Sequence, residues 1–374
     1  MQPIVYVDRA DEDRHAGDVK LGLFTVVFAL SGCELLADIP TPQGTSDVDA
    51  SMNDAGETPD VMIDGDGCSG SFVRICTQPS GVDIELPPAI DTSTSTSCAV
   101  EMDAIAGELC VIAGRSINVA AGITLEITGT RPLVLVATTT ITVDGKVNVR
   151  NPSGTGCSHT DPTEFSGGAG GTRGGKGGKG GNGGDNGVGG VANDPMPPSL
   201  LGGCPGGLAG NSNPPGVGGG SVLLVASTIM VTGTIDAAGT GGGGSKVSLG
   251  AGAGGGSGGV IVLDAPAVTI AGTLLASGGG GGEGGRGAVL GGNQGGNPGA
   301  TPNPLMPLVA ATGGAGLAGG DGGAGGAILA LNGTDGGRSG TNVATGGGGG
   351  GGAGIIVVTA PAPTITGPVV PAAM

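Results

Sequence analysis

Residues 259–278, GVIVLDAPAVTIAGTLLASG, decide how this chain is read, because the same text recurs along it in looser spelling. Gly354–Val370 reads GIIVVTAPAPTITGPVV, and Ser221–Gly239 reads SVLLVASTIMVTGTIDAAG. Leu133–Asn151 is LVLVATTTITVDGKVNVRN, and Leu109–Ile127 is LCVIAGRSINVAAGITLEI. Everything else leads into these five units, separates them or follows them.

The units align on Ala113, Ala137, Ala226, Ala265 and Ala360. Two residues earlier stand Val111, Leu135, Leu224, Leu263 and Val358, and four earlier stand Leu109, Leu133, Val222, Ile261 and Ile356. Further on come Val119, Val143, Val231, Ile270 and Ile365, then a small-residue column of Ala121, Gly145, Gly233, Gly272 and Gly367. A last apolar column holds Ile123, Val147, Ile235, Leu274 and Val369. Thr140, Thr142, Lys146, Thr232, Asp236 and Thr273 lie between these columns. Such period-2 alternation, with β-branched residues at most inward sites, is the signature of half-buried strands.

Each unit therefore reads as three short strands turned at tight corners. Units that cannot bury their own apolar face must stack to do so. Stacked, the columns become ladders of like residues about 4.8 Å apart. The expected fold is all-β, a parallel β-helix of about five turns. One further column, Cys110, Val134, Leu223, Val262 and Val357, is apolar although the alternation turns it outward. A sheet apolar on both faces is normally covered on both, and the glycine-rich inserts are the long segments available to do it.

Those inserts fall at about 152–220, 240–258 and 279–353, all between the third strand of one unit and the first strand of the next. They should leave from one corner and emerge on one side. Gly174–Asp185 repeats GGK-GGK-GGN-GGD, and Gly319–Ala327 repeats GGD-GGA-GGA. Period three matches an extended helix of three residues per turn, so ordered polyglycine II is one reading. A floppy linker is the other, because glycine loses the most entropy on ordering. Ala327–Leu331, AILAL, reads as an extra partial strand. With 89 Gly, 25 Pro, no Trp and one Tyr among 374 residues, any core must be aliphatic.

Leu21–Leu30, LGLFTVVFAL, is too short to span a bilayer as a helix. It runs into Leu30-Ser31-Gly32-Cys33, which resembles a bacterial lipoprotein signal peptide with its lipobox. The resemblance implies cleavage before Cys33 and lipidation of that cysteine, and Glu34 after it leans towards the outer membrane. Residues 1–32 form the signal segment. Its acidic start, including Asp8, Asp11, Glu12 and Asp13, departs from the positive start such peptides carry, and points to a true start near residue 19.

Residues 33–67 hold many acids and neither Lys nor Arg, and read as a disordered acidic tether. Asp64-Gly-Asp66-Gly lacks the rest of a calcium loop. Beyond Cys33, six cysteines remain, Cys68, Cys76, Cys98, Cys110, Cys157 and Cys204. An even number in an exported chain fits three disulfides, in any of fifteen connectivities. Residues 68–107 read as a disulfide-rich cap for the open first turn, with 108–374 as the repeats and their inserts. Cys157 and Cys204 stand towards the ends of the first insert, where a bond would cinch its base.

No catalytic constellation can be assembled. Past the signal segment one histidine remains, His159, and no CxxC or phosphate loop occurs. Glycoside hydrolysis needs facing carboxylates, whereas Asp144, Asp236 and Asp264 fall in different columns. Asp264 stands in an otherwise uncharged column and reads as a solvated edge residue. No cofactor or metal is expected, and a formal net charge of −17 argues against nucleic acid as a partner. The chain as a whole resembles glycine-rich bacterial surface lipoproteins with pectin-lyase-like, right-handed parallel β-helices; it is PE-PGRS-like only in its glycine runs. The resemblance implies a non-catalytic envelope or surface protein, structural or adhesive, held to the membrane by its lipid and facing surface glycans or other surface proteins. The alternative is a polysaccharide-binding or polysaccharide-degrading protein on the same rod.

Overall fold

The computed structural model describes residues 67–150, 157–163, 165–184, 187–209, 214–247, 250–286, 296–316, 319–338 and 345–374. Cys33, the acidic tether up to residue 66 and most of the Asp64 motif lie outside them. The described residues are all-β, with no helix.

Three short strands open the fold: β1 (Ile84–Glu85), β2 (Ala89–Asp91) and β3 (Ala99–Asp103). The first full turn is β4 (Gly107–Gly114), β5 (Ile117–Val119) and β6 (Thr124–Thr128), and the second is β7 (Leu133–Ala137), β8 (Thr140–Val143) and β9 (Lys146–Val149). The first insert carries a small antiparallel pair, β10 (His159–Thr160) and β11 (Val191–Ala192). Three more turns follow: β12 (Ser221–Val225), β13 (Thr228–Val231), β14 (Thr234–Asp236); β15 (Val260–Asp264), β16 (Ala267–Ile270), β17 (Thr273–Leu275); and β18 (Ile355–Val358), β19 (Thr364–Ile365), β20 (Val369–Val370). The strands of the five full turns visit three sheets in the same cyclic order, and β1, β2 and β3 add one strand to each, giving three six-stranded sheets. All pairings in them are parallel except β3, which runs antiparallel along β4 and finishes the first-strand sheet.

The ladders follow from the columns. Val119, Val143, Val231, Ile270 and Ile365 pair in series, as do Leu133, Val222, Ile261 and Ile356. Their inward side chains, except Ile365, fuse into one aliphatic core, where Leu135, Ile141, Val143, Leu224, Ile229, Ile235, Leu263 and Ile270 are essentially inaccessible. Ile365, expected inward, is exposed because its turn is the last one described and no further described turn covers it. The small-residue column has a steric cause at the corners. A Cβ on Gly233 would lie 1.9 Å from the carbonyl oxygen of Gly145 one turn below.

The first unit departs from the alignment. Ala113 pairs with Val136 and Gly114 with Ala137, so β4 is shifted by one residue. One residue of slip turns every side chain over. Cys110 and Ile112 therefore enter the inner core, while Leu109 and Val111 face outward into a second apolar cluster. LCVIA is apolar at every position and offers no period by which to fix its register. Leu125, not Ile123, pairs with Val147, because the corner at Ala120–Gly122 is longer and turns through Gly122 at φ 79°. Ile123 is left exposed.

The outer face of the first-strand sheet is covered. Val134, Leu223, Val262 and Val225 pack with Ile75, Phe72 and Val73 of the N-terminal loop and with Leu200 of the first insert. These apolar contacts come from non-glycine pieces. Disulfides join Cys68 to Cys76, Cys98 to Cys110 and Cys157 to Cys204. The first closes the covering loop, the second ties β3 to β4, and the third closes the first insert between residues 157 and 204.

Candidate functional site

The inserts are ordered, and their order has period three. Along 346–354, Gly346, Gly349 and Gly352 donate their N–H groups to the carbonyls of Phe165, Gly168 and Gly171. Gly347, Gly350 and Ala353 donate to Gly337, Thr334 and Leu331, and Gly348, Gly351 and Gly354 donate to Gly282, Gly279 and Ala276. The carbonyls of the same run accept from Gly252, Gly255 and Gly258, from Gly181, Gly178 and Gly175, and from Gly323 and Gly326. A segment of three residues per turn presents its backbone groups in this way, to neighbours all round it. Segment 252–258 is built alike, giving its N–H groups to Gly346, Gly243, Gly207, Gly349, Thr240, Cys204 and Gly352 in turn. The backbones lie too close for side chains: a Cβ on Gly254 would meet the carbonyl oxygen of Ala169 at 1.7 Å.

Where the lattice ends, side chains replace the missing neighbour. Asn332 and Asp335, three residues apart, accept the N–H groups of Lys176 and Lys179. The third residue of each GGK unit thus falls on the rim, and the Lys176 ammonium meets Asp194 at 2.7 Å.

Two tips project from this lattice. Residues 303–309 turn twice, through Met306 N–H to Asn303 O and Val309 N–H to Met306 O. Ala327–Ala330 closes a two-residue turn by a single bridge, where a partial strand was expected. The tips are neighbours: Gly325 N–H donates to Ala311 O, and Ala310 and Ile328 pack on one cluster with Leu275 and Val370. Their outer residues are apolar and bare, with Leu305 89 % and Leu329 97 % exposed, and Met306, Leu308 and Val309 more than half exposed. Single exposed apolar residues are ordinary on a protein surface, but a contiguous set marks a contact surface.

The carboxylates singled out in the sequence are separately engaged. Asp144 accepts from Thr232 Oγ1 at 2.5 Å. Asp236 is buried, accepts from Ala238 N–H and pairs with Lys146 at 3.4 Å. Asp264 is buried rather than solvated. It accepts Ser71 N–H, Ser71 Oγ, Phe72 N–H and Thr359 Oγ1, which overturns its reading as an edge residue. A neighbouring turn carries Val225 at the paired position, so nothing in the column hinted that a loop would cross there. His159 lies 3.6 Å from Asp161. Among the described residues, no group of three or more His, Cys, Asp or Glu could hold a metal ion.

Arg173 was not singled out by the sequence. It sits at the bend between lattice segments 167–172 and 175–183, and its side chain is fully buried. Nη2 donates to Ser199 O at 2.5 Å and to Ser199 Oγ at 2.9 Å, Nη1 stands 3.9 Å from Met196 Sδ, and Nε has no hydrogen-bond partner. Burial pushes its pKa down to about 10. The signal was there to be found: a lone Arg interrupts the GGX rhythm at Thr172-Arg173-Gly174.

No protein-family model, curated protein or solved structure matches this chain.

Proposed function

We propose that this chain is a lipid-anchored protein of the cell envelope or surface, non-catalytic, with a structural or adhesive role. In this reading Cys33 carries the lipid, residues 33–67 hold the folded part off the membrane, and the stacked turns form a right-handed parallel β-helix. The glycine inserts form polyglycine II, a stiff plate beside the rod. The observation that carries the reading is the pair of neighbouring tips, whose apolar ends (Leu305, Met306, Leu308, Val309 and Leu329) stand exposed on an ordered base. Apolar side chains held out on a rigid support lose little entropy on contact, so more of their burial energy reaches the contact itself. Three disulfides support an oxidising compartment.

The test uses cells displaying the full chain, measured for retention of the protein in the membrane fraction and for attachment to methyl-coated and hydroxyl-coated surfaces. Cys33→Ser should move the protein to the soluble fraction. Leu305→Ser, Leu308→Ser and Leu329→Ser together should lower attachment to the methyl surface about tenfold or more, with melting unchanged. Retention of Cys33→Ser in the membrane would refute the anchor, and unchanged attachment of the triple variant would refute the adhesive tips.

A further inference from the structure

The backbone of the first tip satisfies its own donors. Pro304 and Pro307 carry no N–H. The N–H of Leu305 donates to Asn303 Oδ1 at 3.0 Å, that of Met306 to Asn303 O at 2.9 Å, and that of Val309 to Met306 O at 3.0 Å. In the second tip Ala327 and Ala330 exchange N–H and carbonyl groups. Donors paired inside a turn cost little to take out of water, whereas each free one would forfeit a hydrogen bond. Backbone that enters lipid is held to that condition more strictly than backbone that meets a protein, which can supply acceptors of its own.

Charge and size point the same way. Asp321 is the one charged residue between Arg286 and Asp335, a span that holds both tips, in a chain with 12 % charged residues. Entry of the tips into an apolar phase therefore strips no ion of its water. The same lack of Lys and Arg gives them no hold on an anionic surface, and the formal net charge of −17 repels one. A specific protein interface takes about 20–30 residues a side. The bare apolar ends here are Leu305, Met306, Leu308, Val309 and Leu329, on two separate turns. A bilayer needs no matched surface, because its lipids rearrange around what enters.

We propose that the two tips dip into the surface of an electrically neutral lipid bilayer, of the phosphatidylcholine type. This rests on the adhesive reading above and names the partner of the tips. Their leucines, Met306 and Val309 enter the boundary between headgroups and acyl chains, where interfacial elements sit about 5–10 Å deep. The attraction is apolar, so it is indifferent to salt, which screens only charges.

The experiment is co-sedimentation of the full-length Cys33→Ser protein, which has no thiol at that position to carry a lipid, with two kinds of vesicle: phosphatidylcholine alone, and phosphatidylcholine mixed with phosphatidylglycerol. Binding to phosphatidylcholine is expected, unchanged between about 50 and about 500 mM NaCl and no stronger when phosphatidylglycerol is added. Leu305→Ser, Leu308→Ser and Leu329→Ser together, in the same background, should weaken it about tenfold or more with melting unchanged. Absence of binding to phosphatidylcholine, equal binding by the triple variant, or binding that requires phosphatidylglycerol and vanishes in salt would each overturn the proposal. The methyl-coated surface separates this inference from the reading beneath it. Tip-dependent attachment there without tip-dependent vesicle binding refutes the bilayer alone; if neither depends on the tips, the adhesive reading falls as well.

Discussion

Asp264 receives both the backbone N–H and the hydroxyl of Ser71, at 2.5 and 2.9 Å, across 193 residues of sequence. Ser71 lies in the loop closed by Cys68–Cys76, and Asp264 ends β15 in the fourth full turn, so this one carboxylate fastens the start of the described chain along the side of the stack. Asp264→Ala orphans the N–H groups of Ser71 and Phe72. Ser71 is exposed and Phe72 half-buried, so water partly replaces the lost acceptor, and the variant should lose about 1–2 kcal/mol in denaturant unfolding. Limited proteolysis should cut the 68–76 loop sooner than in the wild type.

The stacking register has a sharper test. Ile270 is buried in the inner ladder between Val231 and Ile365, and Thr269 beside it points outward and is exposed. Ile270→Asp puts an unpaired charge in an aliphatic core and should abolish folded protein. Thr269→Asp should change stability by about 0.5 kcal/mol or less. Circular dichroism melts of the two variants check this, and similar melts would contradict the pairing.

What was legible in the sequence was whatever a side-chain alternation could encode. Val143, Val231 and Ile270 fell into one column because each has a polar residue, Asp144, Thr232 or Thr269, directly beside it. Leu109–Ala113 did not, since apolar residues on both faces leave a one-residue slip invisible, and the slip is decided by the Cys98–Cys110 bond and by Ile75 packing outside. The GGX inserts showed their period but not their neighbours, because a lattice built from backbone hydrogen bonds has no side chains to name its partners. Arg173 escaped notice for a related reason: its environment is made by Ser199 and Met196, which stand 26 and 23 residues further along an aperiodic stretch.

Gly254→Ala should be far more damaging than a glycine substitution usually is. Its Cβ would lie 1.7 Å from Ala169 O, a backbone atom inside the lattice that can yield only by displacing the next segment. A loss of about 3 kcal/mol or more is expected, at the severe end for single substitutions. Gly81→Ala, where nothing lies within 4 Å, should be neutral or slightly stabilising. Differential scanning calorimetry of the two variants provides the comparison.

The three disulfides should differ in worth. Cys157–Cys204 spans 47 residues and Cys68–Cys76 only 8. Loop-closure entropy gives about 4 kcal/mol for the longer and about 2.5 kcal/mol for the shorter. The Cys157→Ser, Cys204→Ser pair should therefore lower the denaturant midpoint more than the Cys68→Ser, Cys76→Ser pair, measured on separately purified double variants.

Acid should weaken the first corner. The hydrogen bond from Arg115, helped by Ser116, lowers the Asp83 pKa from 3.8 to about 2. The folded protein thus binds fewer protons there than the unfolded chain, so the contribution is complete above pH 3.8 and fades as pH falls towards 2. Both partners are exposed and screened, so the effect is small and should shrink further at high salt. Carboxyl chemical shifts followed by NMR between pH 6 and 1.5 would show Asp83 titrating last among the exposed aspartates if the pairing holds.

The position of residues 346–354 within the lattice sets a timetable. Segments 165–171, 175–181, 252–258, 276–282 and 331–337 are all made earlier, and each keeps backbone groups aimed at a place that only 346–354 fills. A chain emerging N-terminus first can stack its early turns as they appear, while the plate beside them waits for a keystone some 180 residues downstream of its first member. Structures dominated by such distant contacts form slowly. The glycine plate should therefore be the last part of the molecule to set, and a chain cut short before residue 345 would carry nearly all of that plate's material without being able to close it.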